Sequence, residues 1–108
     1  MLHIDDLVDL YLAAAGQTTI FSGEVFNIGG GISNSLSVLE LLDSLENLLG
    51  ENLNKIHIEP RASDQKFFVA DTIKAQNLLK WKPSITISKG LVLALEWERN
   101  KLNVHQAV

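Results

Sequence analysis

"VFNIGGGISNSLSVLELL", residues 25–42, sets an apolar run, three glycines, a polar stretch and a leucine-rich pattern in succession. That order predicts a strand, a tight turn and a helix, and hence an α/β fold. "SVLE", 37–40, has capping-box spacing: the Ser37 hydroxyl can accept from the Glu40 amide while the Glu40 carboxylate reaches back. Leu41, Leu45 and Leu48, with Val38, Leu42 and Leu49, give the helix one apolar face, and Gly50 ends it. Its other face, with Glu40, Asp43 and Glu46, is acidic.

The glycines invite a phosphate-cradle reading. A dinucleotide turn needs G-x-G-x-x-G, so that backbone can approach a pyrophosphate at a helix N-terminus. Gly29 and Gly31 fill the first two positions, but Asn34 stands where the third glycine belongs. No Gly-Lys-Ser or Gly-Lys-Thr follows, which excludes a P-loop. A tight turn is the simpler reading.

Working outward, a helix is expected from about Asp6 to Ala15, capped by Asp5, with Leu7, Leu10, Tyr11 and Ala14 on one face and Gly16 at its end. "LHI", 2–4, reads as the end of a strand whose start lies outside the chain. "EVFNI" (24–28), "KIHIE" (55–59, closed by Pro60) and "KFFVA" (66–70) read as strands. Asp71 caps a helix over about 72–80, and Pro83 separates it from a last helix. Thr86 caps that last helix, expected from Ile87 to near Lys101. Trp81 and Trp97 read as packing residues. His57 is expected half-exposed on its strand, and His105 in a disordered polar tail.

The 108 residues fit one domain, or a piece of a larger one. An apolar fraction of 46% with 20% charged residues describes a globular chain. The formal charge is -4 and the nine Lys and Arg are scattered, which argues against a nucleic-acid partner. There is no cysteine, so no disulfide frame and no thiolate metal site. No apolar run approaches the roughly 20 residues of a membrane span. The acidic start does not read as a signal peptide, so a cytoplasmic location is expected. His3, His57 and His105 share no metal-ligand spacing, and no Ser-His-Asp or Cys-His arrangement can be built. Asp5, Asp6 and Asp9 are explained by capping and by the helix dipole.

"EPRASDQ", 59–65, holds Arg61 and Asp64 three apart on a polar loop. A planar arginine fork suits a diphosphate, and a nearby aspartate can accept from ribose hydroxyls. From chemistry alone, a surface ion pair is the simpler reading.

Four stretches in order resemble the C-terminal part of the extended short-chain dehydrogenase/reductases, the NAD-dependent nucleotide-sugar epimerases and dehydratases. They are "LHIDDLVDLYLAA", "GEVFNIGGG" with "SVLELLDSLENLLG", "RASDQKFFVADTIKAQNLLKWKP" and "ITISKGLVLALEW". The resemblance covers about residues 2–100. It matches at His3, Asp6, Phe26, Asn27, Gly29, Arg61, Asp64, Asp71, Lys74, Ala75, Trp81, Pro83, Gly90 and Trp97. The Asp64-Gln65 pair and "FNIGGG" look most like a CDP-sugar 2-epimerase branch.

The resemblance implies that Arg61 contacts the diphosphate and Asp64 a ribose hydroxyl of a nucleotide sugar. Ala62 and Ser63 depart from the proline and glycine common there. The family's NAD turn and Tyr-x-x-x-Lys pair lie in an N-terminal Rossmann domain. Tyr11 is the one tyrosine here, and Ala15 stands four residues on. The chain is thus expected to be a single-domain C-terminal fragment of about four helices and a small sheet. It would carry the substrate-binding side only, with no catalytic, cofactor-binding or metal residues of its own; NAD belongs to the full-length family. Lacking the Rossmann sheet, it should expose apolar surface and self-associate. The alternative is a stand-alone interaction module using the acidic helix 38–49.

Overall fold

The computed structural model describes residues 1–106, with side chains to Leu102. The elements are α1 (Ile4–Ala15), a one-turn α2 (Thr18–Phe21), a 3-10 turn (Ile32–Asn34), α3 (Val38–Leu49), α4 (Ile73–Leu79) and α5 (Ile87–Gln106). The expected helices are all present, and α2 is an addition.

Local chemistry explains their ends. Ser37 and Glu40 form the complete capping box: the Glu40 amide donates to Ser37 Oγ at 3.2 Å, and the Ser37 amide donates to Glu40 Oε2 at 2.6 Å. Gly50 closes α3 in the left-handed conformation at φ 74°, which costs a glycine nothing. Asp71 Oδ1 accepts the Ile73 amide at 2.9 Å, but α4 starts one residue later than expected, so the cap position is Thr72, whose side chain makes no cap bond. Thr86 Oγ1 accepts from the Lys89 amide at 3.4 Å. The α1 cap is a correction. The helix starts two residues early, and His3 Nδ1, not Asp5, accepts the orphan amide, that of Asp5, at 3.2 Å. At the other end α5 runs to Gln106, through the stretch expected to be a tail. The His105 side chain lies outside the described residues.

The small sheet is not formed. Segments 24–28, 55–59 and 66–70 make no strand ladder among the described residues. Strand character survives in the burial pattern of the first. Phe26 and Ile28 turn toward the core while Val25 and Asn27 face out, a period of two. A strand, however, is stabilised by a neighbour, and these segments have none among the described residues. Ile56, Ile58, Phe67 and Phe68 are left 71–89% exposed, and His57 is exposed with them.

The core is small. Leu10, Ala75, Leu79 and Trp81 are its buried members, with Leu2, Leu7, Ala14, Phe21, Phe26 and Ile28 packed around them. Phe21 and Phe26 meet edge to face, with centroids 6.0 Å apart. Lys74 ties α4 to the 24–26 segment: its ammonium donates to Glu24 Oε2 at 2.7 Å and to the Val25 carbonyl at 2.8 Å, and sits over the Phe26 ring. Trp81 is the packing residue the sequence indicated. Trp97 is not: it is 61% exposed on α5, with Lys101 over its ring. Tyr11 also faces out, because the face of α1 that finds partners is set by Leu7, Leu10 and Ala14. The apolar face of α3 meets little protein, and no residue of that helix is fully buried.

The glycine turn acts by close approach. A Cβ at Gly30 would overlap the Met1 carbonyl, and one at Gly29 would press on the Ala70 methyl at 3.0 Å. Asn34, the residue that broke the dinucleotide pattern, is buried and donates from Nδ2 to the Ile85 carbonyl at 3.0 Å.

Candidate functional site: a charged turn and its surroundings

Arg61 and Asp64 are brought together. Arg61 Nε donates to Asp64 Oδ1 at 2.9 Å, the Arg61 amide donates to Oδ2 at 3.1 Å, and the Asp64 amide donates to the Arg61 carbonyl at 3.0 Å. The result is a closed turn in which one carboxylate holds both the backbone and the guanidinium. Ala62 and Ser63 form its tip, and Pro60 stiffens the approach.

The turn is open to solvent. The side chain of Arg61 is 85% exposed and that of Asp64 41%. Among the described residues only Nε of the guanidinium is used, and the two terminal nitrogens have no protein partner. A fork held at Nε with its end free suits two phosphate oxygens at once. Each Asp64 oxygen accepts one bond, and a carboxylate oxygen can accept another. As a contribution to stability, the exposed pair is worth little.

A groove of about 540 Å³ starts one residue past Asp64. Gln65, Lys66 and Phe67 form one wall, and Ser35, Ser37 and Val38 the other. The Ser37 hydroxyl is already committed to the Glu40 amide. The Glu40 carboxyl lies below the ordinary glutamate value because the Ser37 amide, and then its hydroxyl, donate to it.

The glycine run does not build a dinucleotide cradle. The 3-10 turn separates it from α3, and Ser37 occupies the first-turn amide of α3 that a pyrophosphate would need. The space a backbone approach would use at Gly30 is taken by Met1. These residues therefore do not fit NAD. Tyr11, exposed on α1, has Ala15 one turn on, so no tyrosine–lysine pair exists there. Among the described residues no three His, Asp or Glu side chains converge as a metal site would require. Among the described residues no helix is long and apolar enough to cross a membrane.

Sequence reasoning missed Asp6. It is 1% exposed, not a first-turn dipole partner like its neighbour Asp5. Its Oδ1 accepts from the Ser84 amide and hydroxyl, both at 2.9 Å, and its Oδ2 from the Ile85 amide at 3.1 Å. Its carbonyl accepts from Trp81 Nε1 at 2.9 Å. Burial pushes this carboxyl up, but the Ser84 and Ile85 amides, the Ser84 hydroxyl and nearby His3 outweigh burial and hold it below the ordinary value. The available signal was the Trp81-to-Ser84 stretch, whose amides needed an acceptor after α4 ended.

In class, then, this is a helical segment that displays one paired, solvent-facing arginine–aspartate turn. Known proteins narrow it further. The chain is 37% identical over 97 residues to the CDP-paratose 2-epimerase of Salmonella typhi, covering 90% of this chain and 29% of that protein. It is 31% identical over 85 residues to the UDP-glucuronate 4-epimerase of Thermodesulfobacterium geofontis, covering 79% and 26%. It is 29% identical over 100 residues to the UDP-glucose 4-epimerase of Mycolicibacterium smegmatis, covering 93% and 31%. No family model matches the chain. The chain belongs to the extended short-chain dehydrogenase/reductase family of epimerases. It spans about three-tenths of the length of these curated relatives.

Proposed function

We propose that this chain is the nucleotide-sugar-binding, C-terminal segment of an NAD-dependent nucleotide-sugar epimerase, with a CDP-sugar as ligand, and that it is catalytically inactive by itself. One observation carries the reading: Arg61 and Asp64 share a solvent-facing turn that leaves the end of the guanidinium free. In this role Arg61 takes the diphosphate and Asp64 a ribose hydroxyl. Likeness to a CDP-paratose 2-epimerase favours a cytidine nucleotide over a uridine one. Hydride chemistry belongs to NAD and to a Tyr-x-x-x-Lys pair, neither of which the described residues provide for. The same reading places the protein in the cytoplasm, where nucleotide sugars are processed, and has the isolated chain self-associate through its exposed apolar side chains.

Isothermal titration calorimetry with CDP tests the site. Arg61→Ala should weaken binding about tenfold or more, the scale of a lost charge-assisted fork. Asp64→Ala should lower affinity for CDP but not for inorganic pyrophosphate. A variant lacking Arg61 that binds CDP as tightly as the parent chain removes the assignment.

The alternative, a stand-alone interaction module, rests on α3. Val38 and Leu39 are 72% and 59% exposed beside the acidic face. That face is partly neutralised, however: Lys55 Nζ lies 2.9 Å from Glu46 and 3.8 Å from Asp43. The charged turn is the stronger feature.

A further inference from the structure

The chain carries more surface than its mass accounts for. Its accessible surface is 8714 Å². A compact monomer of 11.9 kDa exposes roughly 6,000 Å². The radius of gyration, 17.4 Å, likewise exceeds the roughly 13 Å of a compact domain of this length. The excess, roughly 2,800 Å², is well above the roughly 800 Å² that each partner buries in a standard dimer. Surface enough for an interface between copies is therefore present.

One segment is built to form it. Between Lys55 and Glu59 no backbone amide or carbonyl has a hydrogen-bond partner among the described residues. Ile56 and Ile58 are 89% and 85% exposed. An unpaired edge of alternating apolar residues is a template for another strand. Reversed, K-I-H-I-E reads E-I-H-I-K, the same apolar pattern with the two end charges exchanged. Two such strands running antiparallel about His57 set Lys55 of each chain opposite Glu59 of the other, and Ile56 opposite Ile58. A parallel pairing in the same register would set lysine on lysine and glutamate on glutamate, which is unfavourable. Pro60 ends the ladder on one side because it has no amide hydrogen to donate. Lys55 already holds Glu46, but an ammonium has three donors and can address a second carboxylate.

We propose that two copies of this chain pair through Lys55–Glu59 as an antiparallel ribbon, each supplying the strand partner the other lacks. The proposal names the surface for the self-association put forward above and does not depend on the nucleotide-sugar reading. In the dimer the four isoleucines share one face, and the two lysine–glutamate pairs flank the imidazoles on the other.

Sedimentation velocity of the full chain across the micromolar range tests this by a charge rule. The parent chain should show a concentration-dependent dimer. Glu59→Lys alone and Lys55→Glu alone should each weaken it about tenfold, since each turns two attractive cross-strand pairs repulsive. An equimolar mixture of the two variants should regain the dimer, because every basic position in one chain then faces an acidic position in the other. Ile58→Asn should dissociate the dimer as well. Among the described residues Glu59 is in no ion pair, so Glu59→Lys should keep the parent helix content by circular dichroism. A monomeric parent chain overturns the proposal. So does a dimer indifferent to both charge variants, or a mixture no more associated than either variant alone. None of these outcomes bears on CDP binding, so the two readings fail separately.

Discussion

At the scale of single residues, the Asp6 carboxylate ties the two ends of the chain's core by three hydrogen bonds from Ser84 and Ile85. One carboxylate in the first turn of α1 holds the Ser84–Ile85 backbone, 78 residues on. Its folded-state value is depressed. The tie is therefore at full strength above the ordinary aspartate value of about 3.9 and is lost as pH falls through the lower folded value. Urea titrations at a series of pH values should show stability dropping in that acidic window. Asp6→Asn should flatten the drop and cost about 1–3 kcal/mol at neutral pH, because an amide nitrogen cannot accept from a backbone N–H. An unchanged acid limb in the variant would show that other carboxylates govern it. Gly30 is the second residue with a distinct role. A methyl there would overlap the Met1 carbonyl, so Gly30→Ala should destabilise the chain by more than the ~1 kcal/mol of a typical point substitution. Thermal unfolding followed by circular dichroism measures this. Arg61 and Asp64 were legible as a pair from their spacing. That they close on each other and leave the guanidinium end free depends on backbone bonds that the residue types alone do not state.

At the scale of elements, α3 is defined by its ends. The capping box and the left-handed Gly50 were both readable, because each is a local bargain between a side chain and the nearest orphan backbone groups. Ser37→Ala should cost about 1 kcal/mol, measured as a lower urea midpoint, while Ser37→Asp should lose much less. Equal losses in the two variants would mean the hydroxyl acts by something other than accepting the Glu40 amide. The α1 helix starts two residues before the Asp6 that the sequence pattern indicates, for a physical reason. A histidine accepts a first-turn amide through Nδ1 only when suitably oriented, and that orientation comes from its surroundings, with Gly90 close to the ring. The strands mark the opposite case. Their apolar alternation was legible, yet a strand is not a local object: without a neighbour at ladder distance, alternation leaves isoleucine and phenylalanine in water.

At the scale of the whole molecule, among the described residues four side chains form the buried cluster around Trp81 and twenty large apolar residues are exposed. So little apolar surface is removed from water that unfolding should expose unusually little more. The urea m-value should fall below that of a compact domain of the same length. An m-value at the compact-domain norm would mean that the chain in solution covers the faces seen open. The same imbalance is the basis of the self-association proposed above, in a chain that spans about three-tenths of its relatives' length and shows no sheet among its described residues.

The sequence by itself determined the four longer helices, the capping box and glycine stop of α3, the turn at the glycines, the Arg61–Asp64 spacing and the family. Each of these rests on chemistry within a few residues or on the order of short motifs. Only the tertiary structure decided which faces are covered, that Trp97 and Tyr11 stand in solvent, that the strand-like segments go unpaired, and that Asp6 reaches Ser84 and Ile85. The physical reason is the same in each case: burial and ladder pairing are set by what arrives from far along the chain, or does not arrive at all.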